Sequence, residues 1–581
     1  FKELGLCDAP VPRTLFKPHS AAAPPRWFHP STPPTIADEV RNWTSTPVVS
    51  VISPVYNVAG PHLRRCIESV RAQWYPFWDL CLCDDGSTNP ETLAVLESYR
   101  GLDPRIKIVR SNRNEGIAAA SNRAAEISTG EYLAMLDDDD EITPDALFEV
   151  AKVVHSNPEV EFLYTDEDKI AEDGHLIDHY CKPDWSPEHL LSVMYVLHLL
   201  VMQKALFYSV GGFRPQFSGA QDYDLALRAS TQARSVCHIP KILYHWRTVA
   251  GSAAEVVDAK PAALAAGRRA LEDHVAQNGI DADVEEGLLP GLFHVRNRIR
   301  GNPLASLCIL AGGRLARVEG RGTVDLLANF VTSIVQRTEY PNYEIVVVDD
   351  GTLSEDTHRA LRGMPHRIEH FTPAEGPFNF SRKANFAFRQ ARGHHILLLN
   401  DDLEAISPEW LTAMLEPLQQ RAVGVVGAKL LFPDERLQHV GVVLGVNGGA
   451  SHVYHGYPAN LVGYNAFTHV VRNYSAVTAA CLATRADVIE ATGGFDEQLG
   501  IDYNDIDFCL SAIRRGFRIV YTPYAELYHF EGTSIARQAA NARDTMRFQL
   551  RWREYARDDH YYNPNLTRNA LDFSIDDWAA N

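Results

Sequence analysis

The order of apolar and polar positions predicts alternating strands and helices through most of the chain. Pro47–Tyr56 is a β-branched run that ends at a turn, and Trp78–Asp84 is a second short apolar run. Between them, Leu63–Gln73 carries apolar residues at helical spacing. Strand, helix and strand in this order indicate a parallel α/β sheet. Cys81 and Cys83 are expected in its core.

Two segments depart from this alternation. Residues 8–34 contain eight prolines, too many for a packed helix or a central strand, so residues 1–46 are predicted to form an extended arm before an ordered domain that begins near Pro47. Leu190–Met202 is the most apolar window of the chain. It is shorter than the roughly 20 residues of a membrane-spanning helix and is predicted to be a buried helix instead.

Short signatures occur twice in the same order, which predicts a tandem duplication of one fold. The spacing between copies grows from 263 residues at the acidic signature to 282 at the Gly-Gly-Phe signature, so the second copy carries an insertion of about 19 residues. The predicted domains are residues 47–300 and 301–570, followed by a tail at 571–581. The repeated signatures are Asp84-Asp85-Gly86 with Asp349-Asp350-Gly351, Asp137-Asp138-Asp139 with Asn400-Asp401-Asp402, Gly211-Gly212-Phe213 with Gly493-Gly494-Phe495, Asp222-Tyr223-Asp224 with Asp505-Ile506-Asp507, and Tyr244-His245 with Tyr528-His529.

Composition and charge narrow the classes of function. The chain is 45% hydrophobic and 22% charged, which is ordinary globular composition. Its net charge of −19 makes a nucleic-acid partner unexpected. The nine cysteines show neither a C-x-x-C pair nor metal-finger spacing, which favours a reducing cytosol over a disulfide framework. Because no signal-peptide pattern is seen at the N-terminus, we expect a soluble, cytoplasmic protein.

An acidic run after an apolar strand is the first candidate site. Asp137–Asp140 follow the predicted strand Tyr132–Leu136, at the edge where open α/β sheets bind ligands. Adjacent ionised carboxylates repel one another, and a Mg²⁺ or Mn²⁺ ion bound by their oxygens would relieve the repulsion. A solvated acidic turn is the alternative. Recurrence of the pattern at Asn400–Asp402, after the apolar run Ile396–Leu399, favours the metal site.

Two histidines and two further acids also repeat. His245 and His529 each follow a tyrosine at the end of a short apolar segment. A lone histidine is usually packed or capping, whereas matching repeat positions favour an imidazole ligand to the cation. Asp222 and Asp505 lie at predicted helix starts, where an acid can cap the helix. Alternatively, each can act as a general base that takes the proton of a sugar hydroxyl.

The motifs together resemble a known family. The first copy carries SVISPVYN, CDDGST, LDDDDE, GGF, QDYDLALR and YHWR, and the second carries VVVDDGT, LLNDDLE, GGFDE, NDIDFCL and LYHFEG. From about Val48 to about Asn565, the chain resembles inverting family 2 glycosyltransferases of the GT-A fold. It looks most like tandem, rhamnosyltransferase-like enzymes of bacterial surface polysaccharide (O-antigen type) biosynthesis. The resemblance implies an α/β fold of two tandem GT-A domains, Rossmann-like nucleotide-diphospho-sugar transferase domains, each with one Mn²⁺ or Mg²⁺ ion.

The resemblance also implies a role for each candidate residue. A cation would bridge the diphosphate of the donor, and a carboxylate would deprotonate the acceptor hydroxyl. These roles fall on Asp222 and Asp505 as catalytic bases, on Asp139, His245, Asp402 and His529 as metal ligands, and on Pro54, Tyr56, Asp85, Asp137, Asp138, Asp350 and Asp401 as contacts to the nucleotide sugar.

The second copy departs from the family pattern at its first strand. Leu310-Ala311 stand where the family favours a Pro-Thr or Pro-x-Tyr contact to the nucleotide, so this copy is expected to bind its donor weakly or differently. The resemblance implies a metal-dependent, inverting hexosyltransferase with two active sites. It would transfer sugars, rhamnose being one candidate, from dTDP- or UDP-sugar donors to a growing bacterial surface glycan. The alternative is one active domain with a degenerate carbohydrate-binding or scaffolding domain.

Two other interpretations fit the residues less well. A hydrolase could use Asp222 with Asp224, but side chains two residues apart at a helix start diverge and would not flank one glycosidic bond. The arm and a segment rich in arginine before the tail could dock at the inner face of the cytoplasmic membrane on a lipid-linked acceptor, although a solvated helix face is favoured. The arginines of this segment are Arg537, Arg543, Arg547, Arg551, Arg553 and Arg557. The motifs do not specify the oligomeric state.

Overall fold

A computed structural model describes the molecule over most of its length. The described residues are 29, 31–248, 261–312, 315–318, 322–351, 353–372, 378–446, 449–530 and 542–575. The chain divides into two compact units, the first within Phe1–Trp185 and Met194–Gly279, and the second within Ser186–Val193 and Ile280–Asn581. Each unit is described by itself.

The first unit is built on a nine-stranded sheet. Its strands β1 and β2 are buried almost throughout, which explains their near-continuous apolar sequences, since both faces of such strands are covered. The strands are β1 Val49–Val55, β2 Trp78–Asp84, β3 Ile106–Arg110, β4 Tyr132–Met135, β5 Glu141–Ile142, β6 Phe162–Ile170, β7 Leu176–Tyr180, β8 Leu200–Gln203 and β9 Val236–Arg247.

The strand order in this sheet is β3-β2-β1-β4-β8-β6-β9-β5, with β7 paired to β6. Strands β3, β2, β1 and β4 are parallel, so their carboxyl ends meet at one edge. Strand β8 is antiparallel to both β4 and β6. The sheet therefore has the Rossmann-like α/β architecture that the resemblance implies, but it is mixed, whereas the order of elements indicated a parallel sheet.

Helix α3 shows how the sequence starts a helix in the first half. α3 begins at Pro90, and the side chain of Asn89 accepts a hydrogen bond from the Glu91 N–H, as expected of an N-cap followed by proline. The helices are α1 Pro34–Arg41, α2 Gly60–Arg71, α3 Pro90–Tyr99, α4 Ile117–Glu126, α5 Ala146–Ser156, α6 Pro187–Leu190 (in the segment that groups with the second unit), α7 Lys204–Ser209, α8 Gln221–Gln232 and α9 Pro261–Gln277.

The second unit holds a ten-stranded sheet and three two-stranded ribbons, one of which precedes residue 301. Its strands are β10 Ala282–Glu286, β11 Phe293–Asn297, β12 Ala305–Leu310, β13 Leu315–Val318, β14 Gly322–Asp325, β15 Tyr343–Asp349, β16 His366–His370, β17 His395–Asn400, β18 Leu403–Ala405, β19 Val423–Leu431, β20 Leu437–His439, β21 Val442–Leu444, β22 Ala450–His452, β23 Arg472–Asn473, β24 Cys481–Arg485 and β25 Arg518–His529.

The strand order of this large sheet, β16-β15-β12-β17-β24-β19-β25-β18, matches that of the first unit position by position. The predicted tandem duplication is thus confirmed at the level of topology, and β20 to β23 occupy the predicted insertion. The helices are α10 Leu326–Arg337, α11 Glu355–Ala360, α12 Phe380–Gln390, α13 Trp410–Leu415, α14 Ala486–Thr492, α15 Asn504–Ile513, α16 Ala542–Arg551 and α17 Arg553–Arg557.

The repeated Gly-Gly-Phe signature is held in both units by an asparagine clip. In the first unit, the Asn122 side chain donates to the Phe213 carbonyl at 2.8 Å and accepts from the Phe213 N–H at 2.9 Å. A Cβ on Gly212 would lie 2.7 Å from the Asn122 amide oxygen, and its φ of +63° also favours glycine. Asn385 makes the same two bonds to Phe495 in the second unit.

Two predictions about local structure are wrong. Leu190–Met202 is not a helix. α6 ends at Leu190, and Leu200–Gln203 forms β8 between two other strands, so its apolar character reflects a central strand. Order also begins before Pro47, because α1 packs Val40 into the core and Trp43 stacks on Phe148 with ring centroids 5.8 Å apart.

Several predictions rest on residues at the two ends of the chain. Residues 1–28 of the predicted arm and residues 576–581 of the predicted tail lie outside the described residues. Across the part of the chain that the structure describes, no helix is both long enough and apolar enough to cross a membrane. The eight cysteines in that part are buried free thiols, including Cys81 and Cys83 in β2.

We predict that Asn122→Ala lowers the free energy of unfolding by roughly 1–3 kcal/mol, because the N–H and carbonyl of Phe213 would both lose their partner. Urea denaturation followed by circular dichroism measures the change. Gln277→Ala, which removes an exposed amide from α9, is the control and should change the stability by less than about 0.5 kcal/mol. Equal effects of the two substitutions would show that the clip contributes nothing.

Candidate active site

A cavity of about 230 Å³ opens at the carboxyl edge of the first unit's sheet. The predicted nucleotide-sugar contacts of this unit and Asp139 converge there, from three separate stretches of chain, whereas Asp222 and His245 are not among the lining residues. The cavity is lined by Pro54, Val55, Tyr56, Asp85, Asn114, Ile117, Ala120, Asp137, Asp138 and Asp139.

Backbone amides hold the carboxylates of this cavity in place. The Tyr56 N–H donates to Asp138 Oδ2 at 3.0 Å, and the Tyr56 ring remains 49% exposed. Asp85 accepts hydrogen bonds from the N–H groups of Glu115 and Gly116 at 2.8–3.1 Å. Both acids are therefore oriented before any ligand arrives, and the Tyr56 ring is available to pack against one.

A steric constraint explains the glycine of the Asp-Asp-Gly signature. Gly86 has φ +74°, and a Cβ there would lie 2.7 Å from the Arg113 carbonyl carbon. The chain must pass this closely for the loop after Arg113 to bring its amides to Asp85. Substitution of Gly86 would displace that loop, which explains why the signature contains glycine.

The run Asp137–Asp140 divides into acids that line the cavity and one that does not. Burial, followed by the charge of Asp137, raises the pKa of Asp139 to about 6. Burial raises the pKa of Asp138 well above its usual range. Asp140 instead accepts hydrogen bonds from the Arg247 N–H at 2.7 Å and from the Tyr244 hydroxyl, so it fastens β9 to the acidic turn.

The side chain of His245 is held by Asp168 rather than by Asp139. Its Nδ1 lies 2.5 Å from Asp168 Oδ1, and Asp168 also contacts His179 at 3.3 Å. Strands β5 and β9 pair so that Glu141, two residues after Asp139, lies opposite His245. Asp139 and His245, the predicted metal ligands, are thus on neighbouring segments. The partner of His245 is Asp168, which the sequence analysis missed.

Asp222 lies in the first turn of α8, as predicted, and its surroundings suit a proton acceptor. Burial, followed by the charge of Asp137, raises the pKa of Asp222 to about 6. Gln221 donates to its Oδ2 at 2.8 Å. A carboxylate with this pKa is ionised at neutral pH and is a stronger base than an exposed aspartate.

The neighbouring acid Asp224 has a different role. Arg228 donates to its Oδ2 at 2.6 Å, and Arg214 forms a bidentate pair with both carboxylate oxygens. In the second unit, Asp507 is likewise held by Arg551 at 3.0 Å and by the indole of Trp552 at 2.7 Å. The second acid of each Asp-x-Asp pair is thus committed to the fold, which argues against the hydrolase interpretation.

His198 is a site residue that the sequence analysis missed. Its ring stacks on Tyr244 with centroids 4.5 Å apart, its backbone N–H donates to Glu167 at 2.8 Å, and its ring Nδ1 lies 3.4 Å from the same carboxylate. Although burial favours the neutral ring, Glu167, Asp137 and Asp140 raise the pKa of His198 to about 9. A positive charge therefore lies within the acidic cluster. It sits in an apolar window that bears no motif, so the sequence carries no signal for it.

The acidic edge of the first unit offers oxygen donors for a divalent cation. Among the described residues, no group of three or more His, Cys, Asp or Glu side chains is placed to hold a metal ion. Mg²⁺ is usually held by one or two carboxylates, with water and substrate phosphates as its other ligands. Asp139, beside a cavity and with a pKa raised to about 6 by burial and a neighbouring charge, supplies such an oxygen donor. The residues present fit an ion that is completed by its substrate.

The second unit repeats the cavity-lining acids with changed neighbours. The Gly312 N–H donates to Asp401 Oδ2 at 2.6 Å, as the Tyr56 N–H does to Asp138. Asp350 lies 3.7 Å from the buried ammonium of Lys383. Both predicted nucleotide-contact acids are at the matching sheet edge, but Lys383 is a partner that the sequence analysis missed.

The predicted metal pair and base of the second unit are also placed at that edge. His529 Nε2 lies 3.2 Å from Asp402 Oδ1, so these two residues are in direct contact. Asp505 lies in the first turn of α15 and accepts a hydrogen bond from the Ala479 N–H at 3.0 Å. The two predicted metal ligands of the second unit are therefore in contact with each other, whereas Asp168 is the partner of His245 in the first.

Comparison with known proteins identifies related sequences in both halves. The family model described as "Glycosyl transferase family 2" matches residues 50–193, and the one described as "Glycosyltransferase like family 2" matches residues 320–553. Asp222 and His245 lie beyond the first match, whereas the predicted residues from Asp350 to His529 lie inside the second.

Three curated relatives illustrate the range of similarity. An uncharacterized protein, y4gI, of Sinorhizobium fredii is 42% identical over 93% of this chain and 60% of its own length. The O-antigen biosynthesis protein RfbC of Myxococcus xanthus is 34% identical over 96% of this chain and 44% of its own length. A chondroitin synthase of Pasteurella multocida is 34% identical over 34% of this chain and 20% of its own length. The chain spans 60% or less of each of these proteins.

We predict that Asp224→Asn lowers the free energy of unfolding by roughly 3 kcal/mol, because the buried Arg228 would lose its charged partner. Asp222→Asn should change the free energy of unfolding by less than about 1 kcal/mol, since the side chain that donates to Asp222 is the neutral amide of Gln221. Urea denaturation compares the two variants. The assignment of Asp224 to the fold would be wrong if Asp222→Asn were the more destabilising change.

Proposed function

The chain belongs to the family 2 glycosyltransferases, and from this premise we propose that it transfers sugars from nucleoside-diphosphate donors to a glycan acceptor. The observation that carries the proposal is the first unit's cavity, in which Tyr56, Asp85 and Asp138 stand beside Asp139 at the carboxyl edge of the sheet. In open α/β sheets, this edge is where nucleotides bind. The donor would lie there with its base toward Asp85 and its diphosphate toward Asp139.

Asp222 is proposed as the catalytic base of the first unit. Its carboxylate takes the proton of the acceptor hydroxyl while that oxygen bonds to the anomeric carbon. The bond from this carbon to the donor phosphate breaks at the same time, and the nucleoside diphosphate leaves. One displacement from the opposite face inverts the anomeric centre, without a covalent glycosyl-enzyme. The raised pKa of Asp222 supports this role.

A Mn²⁺ or Mg²⁺ ion is proposed for each unit. Asp139 with His245 would hold it in the first unit, and Asp402 with His529 in the second, where the two side chains are 3.2 Å apart. When bound, such an ion stabilises the negative charge of the departing diphosphate. The chain's own residues orient the nucleotide through Asp85 and place the base.

We further propose that both units are active. Support comes from Asp505, which takes the same first-turn position as Asp222, and from the contact of Asp402 with His529. Leu310-Ala311 at the end of β12 favour the alternative, in which the second unit is a degenerate binding or scaffolding domain. The two options differ in whether Asp505 carries a transfer step.

The substrates are proposed by class. O-antigen biosynthesis, named for the Myxococcus xanthus relative, favours a bacterial surface glycan as the acceptor. Rhamnose carried on dTDP is our first choice of donor sugar, with UDP-sugars next. Transfer at the inner face of the cytoplasmic membrane, to a lipid-linked acceptor, would suit such a pathway.

We predict that release of nucleoside diphosphate, measured over a panel of dTDP- and UDP-sugars with an acceptor glycan, needs Mn²⁺ or Mg²⁺ and stops with EDTA. Asp222→Asn and Asp505→Asn should each lower the rate of a separate transfer step by roughly 10²–10⁴-fold, because each substitution removes one catalytic base. Asp173→Asn, an exposed substitution of the same kind, is the control. If Asp505→Asn changes nothing while Asp222→Asn abolishes turnover, the second unit is a binding domain.

The pH dependence of the first site follows from the pKa of Asp222. This carboxylate must be ionised to accept a proton, and its pKa of about 6 means that the ionised form is lost as the pH falls below 6. In the Asp505→Asn variant, initial rates should fall about tenfold from pH 7 to pH 5. Circular dichroism at each pH controls for acid unfolding. A rate that stayed constant to pH 5 would contradict the assignment.

A further inference from the structure

The asparagine clip allows the cavity of the first unit to be compared residue by residue with its counterpart. Asn122 and Asn385 make the same pair of hydrogen bonds, so helices α4 and α12 are in register at these positions. Two residues earlier stand Ala120 in the first unit and Lys383 in the second. Ala120 lines the cavity of the first unit. Lys383 therefore projects from the position where the first unit leaves space.

The Lys383 side chain fills that position. It is 2% exposed, and its ammonium donates to the Ala311 carbonyl at 2.5 Å and lies 3.7 Å from Asp350 Oδ2. Ala311 directly follows β12, and Asp350 matches Asp85, the acid on the cavity wall of the first unit. The lysine side chain thus extends across the cavity position from α12 to the end of β12. Its charge lies beside the acid that would face a nucleotide base.

The register of the central strands reveals a second change at the same place. Pairing of β1 with β4 and of β12 with β17 aligns Pro54 with Leu310. The next two positions align as well, since the N–H groups of Tyr56 and Gly312 each bond to the matching aspartate. The second unit therefore lacks the exposed ring that the first unit places at the cavity mouth.

The internal cations of the two units also differ. His198 puts a positive charge among the acids of the first unit, near Asp222. The antiparallel pairs β4–β8 and β17–β24 align His198 with Ala480, which carries no charge. In the second unit, Lys383 instead places a buried positive charge beside Asp350, at the nucleotide side of the edge. The matching position of the first unit, Ala120, carries no charge.

We propose that Lys383 determines the donor specificity of the second unit, by filling the part of the pocket that holds the nucleotide base in the first. The second unit then does not accept the nucleoside diphosphate that the first unit binds, and the two sites take different donors. This inference rests on the proposed function, since it assumes that the first cavity binds a nucleoside diphosphate.

Reciprocal substitution in the full chain tests the inference. Isothermal titration calorimetry with UDP and with dTDP, each in the presence of Mn²⁺, counts the binding sites. The wild type should bind one equivalent of the nucleotide that it accepts. Ala120→Lys should weaken that binding by about tenfold or more, because it puts the same side chain into the first cavity. Lys383→Ala should add a second equivalent.

Two matched variants separate the volume of the side chain from other effects. Ala119→Lys places a lysine on the neighbouring position of α4, which does not line the cavity, and should leave binding unchanged. Lys383→Met keeps most of the volume and removes the charge, so it should still bind one equivalent. Thermal unfolding of each variant shows whether it is folded. If Lys383→Ala does not fold, the effect of Ala120→Lys on nucleotide binding tests the inference by itself.

The outcomes are distinct. Two equivalents in the wild type that persist in Lys383→Ala, or unchanged binding in Ala120→Lys, would overturn the role of Lys383 while leaving the proposed function intact. A second equivalent in Lys383→Met would show that charge rather than volume excludes the nucleotide, and would overturn the filling mechanism. Failure of the wild type to bind either nucleotide would overturn the proposed donor class together with this inference.

Discussion

Repulsion among carboxylates gathered at one edge of a sheet is the constraint on which both units depend. Parallel strands end at the same edge, so the acids that follow them are gathered there. In the first unit, burial, followed by the charge of Asp137, raises the pKa of Asp139 and of Asp222 to about 6. The negative charge of such a cluster must be stabilised by backbone amides, by internal cations or by a bound ion. Each of these three explains a feature of the site.

The acids differ in how fully their charge is neutralised by neighbouring groups, and this difference indicates their roles. Asp224, held by two arginines, and Asp140, held by a backbone N–H and a tyrosine hydroxyl, have no spare capacity for a ligand. Asp85 and Asp138 are oriented by amides while they line the cavity. Asp222 has one recorded side-chain donor, Gln221. The acids available for chemistry are thus those that the fold orients without neutralising.

Duplication preserved the framework and let the contacts at the pocket diverge. The strand order, the asparagine clips and the first-turn acids are the same in both units. Besides the insertion that holds β20 to β23, changes lie at the pocket, where Gly312 replaces Tyr56 and Lys383 replaces Ala120. Framework positions are constrained by packing and register, whereas a pocket position is constrained by its ligand. The changes at the pocket are therefore those that bear on the proposed difference in donor.

The sequence by itself determined the duplication, the α/β class, the first strands and the helix starts, because periodicity and repeated signatures depend on local spacing. It also located the acids, since each follows a strand or begins a helix. Only the tertiary structure decided that Leu200–Gln203 is a central strand, that Asp168 binds His245, and that His198 and Lys383 enter the sites. These contacts join residues distant along the chain, and an apolar run or a lone charged residue does not indicate which distant partner it will meet.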